Sequence, residues 1–555
     1  MMQKPWLKHY PKGIPETIDT NEYSSLVDFF DRTVNKYANL PAYYNMGTTL
    51  TYEDLSIYVN QFASYLQNDL GLKKGDRVAI MSPNLLQYPV ALFGILKAGC
   101  VVVNVNPLYT ARELTHQLND SGAETIVIVE NFASTLEESL PDVNIKNIVL
   151  TSLGDMHGFP KRLLLNAVVK YVKKMVPAYN LPNVVWFREA LTKGATSDYK
   201  PVTVSQEDIA FLQYTGGTTG VSKGAMLTHK NMVSNIIQAR TWISPLIKDG
   251  VEKIITALPL YHIFSLTANC MTFMAVGGLN ILITNPRDIP GFVKELSKHN
   301  FTAFTAVNTL FNALLNNPDF GKLDFSHFKL ALGGGMAVQK AVADRWQEVT
   351  GAPLSQAYGL TETSPAACIN PIDAKEFNGT IGLPISSTVV SIKDEDGNDL
   401  PFGEIGELCV QGPQVMAGYW NRPEETKKTM TADGFLKTGD IATMAEDGFV
   451  KIVDRKKDMI LVSGFNVYPN EVEDVVATHP EVLEVAAVGK PDDKSGEVVK
   501  LYVVKKEAGL TEEKLIEFCR ENMTGYKVPK EVEFKDELPK TNVGKILRRA
   551  LREAQ

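Results

Sequence analysis

The sequence predicts an α/β protein with a large N-terminal domain of layered α/β subdomains plus a β-rich subdomain, followed by a small α+β domain. Short β-branched runs, as at 76–82, 101–107 and 125–130, alternate with longer helical patterns, which is typical of layered α/β folds. From about Thr380 the pattern changes to short strands around Asp-Gly and Pro-Phe-Gly turns, which favours antiparallel β structure. After the charged Asp454–Asp458 segment comes a stretch of roughly a hundred residues, a usual size for one domain.

The individual elements follow from the same patterns. Apolar residues recur at helical spacing in 85–99 and 111–122, and further strand-like runs come at 147–152 and 209–214. The alternation recurs with strands predicted at 253–259, 278–284 and 301–307. In the last part, the sequence predicts a hairpin at 459–469, a helix from Pro469, strands at 484–489 and 499–505, and a helix at 512–523.

Composition excludes several classes of protein. The 555 residues exceed one hydrophobic core, and 44% hydrophobic with 22% charged residues is ordinary for a globular chain. A net charge of −8 argues against a nucleic-acid partner. Five scattered cysteines without a CxxC pair fit a reducing compartment and offer no metal cluster. The N-terminus lacks an apolar signal core, and no run reaches the roughly 18 apolar residues of a membrane span, so a cytoplasmic location is expected.

Residues 214–226, YTGGTTGVSKGAM, follow a predicted strand and have the composition of a phosphate-binding loop. Glycines let backbone N–H groups approach an anion closely, while threonine hydroxyls and one lysine add donors and charge. The loop is not a Walker motif, because Lys223 is followed by Gly224 rather than by Ser or Thr. A flexible glycine turn is the alternative. The predicted phosphate ligands are Thr215, Gly216, Gly217, Thr218, Thr219, Gly220 and Lys223.

The full string resembles the phosphate loop of the adenylate-forming superfamily, which includes acyl-CoA synthetases, luciferases and peptide-synthetase adenylation domains. The resemblance covers the whole chain and implies that the loop, with Tyr214 and Gly224, binds the triphosphate of ATP for nucleotidyl transfer. It also implies Mg²⁺ as cofactor and coenzyme A as second substrate.

Further motifs carry the same resemblance in chain order. LPLYHIF resembles the segment that places His262 beside the carboxylate substrate, although His262 alone would more simply be a core histidine. LGGGM resembles the adenine-side turn of Gly333, Gly334 and Gly335, which a tight strand-to-helix turn explains equally well. YGLTE resembles the adenine and metal motif. Its implied roles are adenine stacking by Tyr358 beside Gly359, α-phosphate binding by Thr361, and Mg²⁺ binding by Glu362 together with Thr215.

The last motifs imply a mobile small domain. Asp440 resembles the ribose-binding acid, Arg455 its cationic companion and Lys457 the hinge, which gives domains at 1–454 and 458–555 joined by a hinge at 455–457. Lys545, in LPKTNVGKILRR, matches the lysine that enters the active site during adenylation; a basic helix start is the alternative. Rotation of the small domain would then replace Lys545 by a coenzyme A face formed by Ser463, Gly464 and Phe465.

Within the superfamily, the chain resembles the bacterial long-chain fatty acid–CoA ligases. Residues Asp433–Lys457 match their signature but depart from it at Asp433, Phe435 and Lys437, and Leu266 stands where some members carry a gating Trp. The resemblance implies ATP-dependent ligation of a long-chain fatty acid to coenzyme A through an acyl-AMP. The rivals are a medium-chain or aryl acid ligase, a peptide-synthetase adenylation domain, a luciferase-like oxygenase, and a catalytically silent nucleotide-binding or membrane-scaffold protein.

Residues 161–176, KRLLLNAVVKYVKKMV, contain five cations and no acid. A helical wheel places most apolar residues on one side and the polar residues, Asn166 included, on the other, with Leu163 as the misfit. The pattern favours either a helix lying on an anionic bilayer or a surface helix packed on the protein. We therefore expect peripheral contact with lipids at the cytoplasmic face of the inner membrane; a homodimer is left open.

Overall fold

The computed structural model of the chain describes residues 4–215, 222–492, 494–507 and 509–554. The strands of the first two thirds of the chain are β1 (Pro41–Asn45), β2 (Thr48–Thr51), β3 (Arg77–Met81), β4 (Val101–Val105), β5 (Thr125–Val129), β6 (Asn147–Thr151), β7 (Val184–Trp186), β8 (Ile209–Thr215), β9 (Lys223–Thr228), β10 (Lys253–Thr256), β11 (Leu279–Leu282), β12 (Ala303–Ala306), β13 (Leu330–Gly333), β14 (Leu354–Gly359), β15 (Ala366–Ile369) and β16 (Leu383–Pro384). The helices are α1 (Leu26–Lys36), α2 (Tyr52–Asn68), α3 (Gln87–Lys97), α4 (Ala111–Ser121), α5 (Ala133–Ser139), α6 (Lys161–Ala167), α7 (Phe187–Gly194), α8 (His229–Ile243), α9 (Ile263–Ser265), α10 (Thr272–Ala275), α11 (Ile289–Leu296), α12 (Asn308–Leu315) and α13 (Lys340–Thr350).

These elements form two largely parallel sheets. One has the strand order β19-β9-β8-β4-β3-β5-β6-β7, where β19 is Gly418–Tyr419, and the other has the order β16-β15-β14-β13-β12-β10-β11-β1-β2. Strands β4 and β5 are buried at every position, as expected where helices cover both faces of a parallel sheet. Helices α1, α2, α3 and α8 share one hydrophobic core with buried residues of both sheets. The predicted α/β layering is confirmed.

Local sequence explains where several helices begin. Thr51 and Asp54 form a capping box at the start of α2, and Thr228 and Asn231 form one at the start of α8. Each box satisfies backbone N–H groups that the first turn of a helix leaves without partners. The cap of α8 fixes the helix that follows β9 and lines one side of the cleft described below.

The rest of the chain contains an antiparallel sheet and a smaller unit. The sheet has the order β17-β18-β20-β21, formed by Val389–Lys393, Gly406–Gln411, Leu436–Met444 and Val450–Arg455, and α14 (Pro423–Lys428) lies between β18 and β20 in the chain. The smaller unit comprises β22 (Ile460–Val462), β23 (Phe465–Val467), α15 (Pro469–Val476), β24 (Val482–Asp492), β25 (Gly496–Lys505), α16 (Glu512–Asn522), β26 (Glu531–Phe534) and α17 (Arg548–Glu553). It has a hydrophobic core of its own, so the predicted β-rich and small α+β parts are both confirmed.

The helical wheel drawn for residues 161–176 is wrong in one respect. After α6, residues Val168–Val172 form a π-helical turn, which shifts the following side chains away from α-helical spacing. Asn166, assigned to the outer polar side, faces the protein, where its Oδ1 accepts the Gly154 N–H at 2.7 Å. Leu163, the misfit of the wheel, is exposed together with Leu164.

Candidate active site

The candidate site lies where several strands end. Strand β8 ends at Thr215, β13 at Gly333 and β14 at Gly359, and residues at all three ends line one cleft of about 1980 Å³. Ligands of α/β sheets bind outside the carboxyl ends of the strands, so this placement suits a small-molecule site. The volume exceeds the roughly 300–1,000 Å³ of a site for one small ligand. There is room for more than one substrate.

The described part of the glycine–threonine loop is held from both sides. Tyr214 donates its hydroxyl hydrogen to Asp120 at 2.7 Å, and Ser222 donates to the Thr215 carbonyl at 2.6 Å. Gly224 packs on the Tyr214 ring, since an added β-carbon would lie 3.1 Å from that ring. The predicted ligands Gly216, Gly217, Thr218, Thr219 and Gly220 lie outside the described residues. Thr215 and Lys223 both line the cleft.

Asp440 is the centre of a buried polar group. Its Oδ2 accepts the Tyr358 hydroxyl at 2.6 Å, and its Oδ1 lies 3.3 Å from Nε of Arg455. The antiparallel register of β20 and β21 pairs Asp440 directly with Arg455, which explains why two residues 15 positions apart meet. Burial and Asp440 together raise the pKa of Tyr358, so its hydroxyl stays a donor.

Glu362 lies at the other side of the cleft. Its Oε1 accepts the Tyr419 hydroxyl at 2.6 Å, and the ammonium of Lys223 lies over the same tyrosine ring, 5.1 Å from its centroid. Lys223 also pairs with Glu425 at 2.7 Å. Hydrogen bonds from Lys223 and Lys428 lower the pKa of Glu425 to about 2, so this carboxyl is ionised at neutral pH.

Lys545 reaches into this cleft from the small unit. A β-carbon added to Gly335 would lie 3.2 Å from Cε and 3.6 Å from Nζ of Lys545, so the lysine lies against the glycine turn that follows β13. Gly335 has a φ of +78°, a conformation that favours glycine. Burial lowers the pKa of the Lys545 ammonium to about 8, and Arg455 adds to that shift. Lys545 remains mostly protonated at pH 7 and is paired with no carboxylate among the described residues.

His262, Gly333 and Gly334 are further predicted residues of this part of the site. Nδ1 of His262 accepts the Phe264 N–H at 3.3 Å, which caps α9. Burial and the nearby Lys545 lower the pKa of His262 to about 3, so the ring is neutral. Gly334 leaves space between the Ala357 carbonyl and Phe264, and Gly333 packs on Val338. Gly359 has no room for a side chain, since a β-carbon would collide with the Pro365 carbonyl, and Thr361 lines the cleft beside it.

The other predicted residues of the small unit lie apart from the cleft. Ser463 and Gly464 form the turn between β22 and β23 and both have positive φ. Phe465 is 56% exposed and stacks on Tyr526, with ring centroids 4.8 Å apart. Within the part of the chain that the structure describes, these three residues do not line the cleft. Lys457 does line it, and burial lowers the pKa of its ammonium to about 8.

One part of the cleft lining is apolar. It lies between α8, the helical segment 263–275 and β13, and its side chains are Ala239, Ile243, Phe264, Ala268, Phe273, Leu330 and Leu332. Leu266 is fully buried in the core rather than in this lining. This part of the cleft suits a hydrocarbon chain, whereas the Asp440 and Lys545 side suits a polar or anionic group.

Comparison with known families agrees with this geometry. Residues 30–420 match the model of the AMP-binding enzyme family, and residues 471–545 match that of the AMP-binding enzyme C-terminal domain. The chain belongs to the AMP-binding enzyme family. The resemblance to adenylate-forming enzymes stated from the motifs is thereby confirmed.

Individual relatives of this AMP-binding enzyme cover all or nearly all of its length. It is 59% identical over 552 residues to a long-chain-fatty-acid–CoA ligase of Escherichia coli O6:H1, covering all of this chain and 98% of the relative. The crystal structure of the anthranilate CoA ligase AuaEII in complex with anthranoyl-AMP has a TM-score of 0.86 at 25% identity, covering 97% and 99% of the two chains. ATP-bound MatB from Rhodopseudomonas palustris has a TM-score of 0.80 at 28% identity, covering 95% and 98%.

The sequence reasoning missed several residues of the AMP-binding enzyme site. Tyr419, Trp420 and Arg422 come from the segment after β18, and β19 brings them beside β9 by pairing with it. Trp420 Nε1 and Arg422 Nη2 both donate to Asp120, which also holds Tyr214. The available signal was the aromatic GYWNRPEE string, but nearly two hundred residues separate it from the loop it contacts.

No helix within residues 4–215, 222–492, 494–507 and 509–554 combines the length and the apolar character that a membrane span requires.

Proposed function

We propose that this AMP-binding enzyme joins a long-chain fatty acid to coenzyme A in two steps. In the first, a carboxylate oxygen attacks the α-phosphorus of ATP, which forms acyl-AMP and releases pyrophosphate. In the second, the thiol of coenzyme A attacks the acyl carbon and AMP leaves. The observation that carries the proposal is Lys545, which lies in the cleft against Gly335 with Asp440 and Glu362 as neighbouring acids.

The proposed roles follow from charge and position. A carboxylate and a triphosphate repel each other as they approach, so the site must supply cations and fixed donors. Lys545 would neutralise charge at the reacting groups. Lys223, which pairs with Glu425 in this structure, would bind the phosphates in place of that carboxylate. Asp440 would accept hydrogen bonds from the ribose hydroxyls, with Arg455 paired to it at 3.3 Å. The carboxylic acid needs no general base, because it is already ionised at neutral pH.

Neutral His262 would lie beside the carboxylate, where it can donate a hydrogen bond without adding charge. Tyr358 and the glycine turn would enclose the adenine, and Thr361 would donate to the α-phosphate. The roles of Gly216, Gly217, Thr218, Thr219 and Gly220 as phosphate ligands stay predictions.

We propose Glu362 and Thr215 as the protein ligands of Mg²⁺, which would supply positive charge to the ATP phosphates. The residues present fit this group. The carboxylate of Glu362 has one oxygen engaged with Tyr419, and Mg²⁺ usually takes one or two carboxylates and completes its shell with phosphates and waters. The described residues hold no cluster of three or more His, Cys, Asp or Glu, so a site built from protein ligands alone is not proposed.

We also propose that residues 455–457 are a hinge between domains 1–454 and 458–555. In the conformation of this structure Lys545 would block the path of the thiol, whereas Ser463, Gly464 and Phe465 lie outside the cleft. A β-carbon on Gly464 would meet no atom within 4 Å. Rotation about the hinge would exchange these two faces of the small domain.

The experiment that tests the proposed ligation is AMP formation from ATP with coenzyme A and a panel of saturated acids from six to eighteen carbons. We expect AMP and acyl-CoA to form in equal amounts and kcat/KM to be highest for the long acids. Benzoate in the same panel tests the aryl rival. ATP consumption without AMP would contradict the proposal, and acid-independent ATP binding without turnover would favour a silent nucleotide-binding protein.

We further propose that residues 159–175 contact an anionic lipid bilayer. Seven large apolar side chains of this segment are 41–80% exposed: Phe159, Leu163, Leu164, Val168, Tyr171, Val172 and Met175. No Asp or Glu occurs between Asp155 and Glu189, although the chain as a whole has a net charge of −8. Apolar surface beside cations suits a helix lying in a lipid interface. The location at the cytoplasmic face of the inner membrane and a homodimer stay predictions.

Charge reversal tests the lipid contact. Lys173 and Lys174 are exposed, whereas Lys170 lies 3.6 Å from Glu130, so the informative variant is Lys173→Glu with Lys174→Glu. Each cation near an anionic surface contributes about 1 kcal/mol, so we expect at least about a tenfold loss of binding to phosphatidylglycerol vesicles in a sedimentation assay. Lys322→Glu with Lys340→Glu is the control, because it changes the net charge equally at exposed positions elsewhere. Equal loss in both variants, or no loss in either, would refute the assignment of this surface.

A further inference from the structure

A buried arginine joins the small unit to the last strand of the antiparallel sheet. Nε and Nη2 of Arg548 donate to the two carboxylate oxygens of Glu473 at 2.9 and 2.7 Å, and Nη2 also donates to Asn470 at 2.5 Å. Nη1 donates to Oδ1 of Asp454 at 3.2 Å. We call Asp454, Asn470, Glu473 and Arg548 the Arg548 cluster. Three of its members belong to the small unit, and Asp454 belongs to β21.

The buried carboxylate of Asp454 is stabilised by its hydrogen-bond and ion-pair partners. Its carboxylate is fully buried and accepts the Asn470 N–H at 2.8 Å and the Arg455 N–H at 2.7 Å in addition to Arg548. Burial raises the pKa of the Asp454 carboxyl to about 6, and the Arg548 charge opposes that rise. A buried charge that loses its partner is strongly destabilised, so separation of Asp454 from Arg548 has a substantial free-energy cost.

The Arg548 cluster is close in sequence to both Lys545 and Arg455, and the proposed chemistry requires these two residues to be placed together. Arg548 follows Lys545 by three residues, and Asp454 immediately precedes Arg455, whose Nε is 3.3 Å from the Asp440 carboxylate. A second contact supports the same tail, since Thr309 of α12 donates to the Gly544 carbonyl at 2.8 Å. The cluster therefore connects the lysine tail to the strand that carries the nucleotide-binding arginine.

We propose that Asp454 and Arg548 are positioning residues that hold Lys545 in the cleft for the first half-reaction. The inference rests on the proposed role of Lys545 and on the proposed hinge at 455–457. A rotation about that hinge moves Arg548, Asn470 and Glu473 together and leaves Asp454 behind. The bonds within the small domain would persist in both conformations, whereas the bonds to Asp454 belong to the adenylating conformation alone.

The test separates the two half-reactions in Asp454→Ala. The change removes the Asp454–Arg548 contact between the domains and leaves both the Arg548–Glu473 pair and the Thr309–Gly544 contact intact. Misplacement of a reacting group by about 1 Å costs on the order of 10²-fold, so we expect pyrophosphate release from ATP and palmitate to fall about 30-fold. Thioester formation from supplied palmitoyl-AMP and coenzyme A should stay within about twofold of wild type, because that step does not use the contact.

Three further variants make the result decisive. Asp454→Asn keeps the side-chain volume and an acceptor for the Asn470 N–H, so it should recover part of the first half-reaction and decides the question if Asp454→Ala unfolds. Asp319→Ala, which removes an exposed acid paired with Lys322, should change neither step. Lys545→Ala, assayed in parallel, must lose the first step. If it does not, the proposed role of Lys545 fails. If Lys545→Ala loses the first step but the Asp454 variants keep it, the positioning role fails. The positioning role also fails if the Asp454 variants lose both steps equally.

Discussion

Replacing Lys545 by Ala is expected to reduce acyl-AMP formation by about 10²–10³-fold. The side chain is a cation that the small domain places against the Gly335 turn of the cleft, and removal of one preorganised charge or donor at a reacting centre typically costs roughly 10²–10³-fold in rate. Its pKa of about 8 leaves it mostly protonated at pH 7, as charge stabilisation requires. The measurement is the initial rate of pyrophosphate release from ATP and palmitate without coenzyme A.

The second half-reaction distinguishes this explanation from general damage to the enzyme. Lys545→Ala should still convert supplied palmitoyl-AMP and coenzyme A to palmitoyl-CoA at about the wild-type rate, because the proposed rotation of the small domain would remove Lys545 from the cleft in that step. Lys540→Ala is the matched control: Lys540 lies in the same tail, pairs with Glu484 at 2.7 Å, and does not itself line the cleft. Loss of both steps in Lys545→Ala would contradict the two-conformation account.

Much of the fold could be predicted because the local patterns are strong. Continuous β-branched runs such as Val101–Val105 give buried parallel strands, and capping residues such as Thr110 with Glu113 fix helix starts. The change of pattern near Thr380 and the compact last hundred residues likewise correspond to separate sheets in the structure. These features depend on neighbours in the sequence, so the sequence alone could predict them.

The candidate site was predictable only where a motif carries it. Asp440, Arg455 and Lys545 were found because each stands in a recognisable string, and the structure brings them to one cleft. Tyr419 and Glu425 were missed because their importance comes from contact with Glu362 and Lys223, which are far away in the chain. Pairing of β19 with β9 creates these contacts, and sequence periodicity does not specify which distant strands pair.

Residues 161–176 show a second limit of prediction from sequence. Five residues of π-helix after α6 change which side chains face the protein. A helical wheel assumes α-helical spacing throughout and therefore cannot show this change. Val169 is the buried contact, and Tyr171 is one of the most exposed apolar residues at 72%. The composition of the segment was therefore informative about its character, while its orientation required coordinates.

The acyl chain gives the second large effect, through Ala239→Trp. Ala239 of α8 lines the apolar part of the cleft opposite β13, and an indole there would fill space that a long hydrocarbon needs. Each methylene that loses its place in an apolar pocket costs roughly 1 kcal/mol or more, so excluding a few of them should lower kcat/KM for palmitate by about a hundredfold. Hexanoate, which need not reach that depth, should lose no more than about threefold.

The control for bulk is Ala195→Trp, since Ala195 is exposed at the end of α7 and does not line the cleft. It should leave both acids unchanged. If Ala239→Trp lowered the rates for hexanoate and palmitate equally, the apolar lining would not hold the acyl chain. A selective loss for the long acid would instead mean that α8 and the helical segment after His262 set the length of the substrate, because an aryl acid or a short acid would not depend on that space.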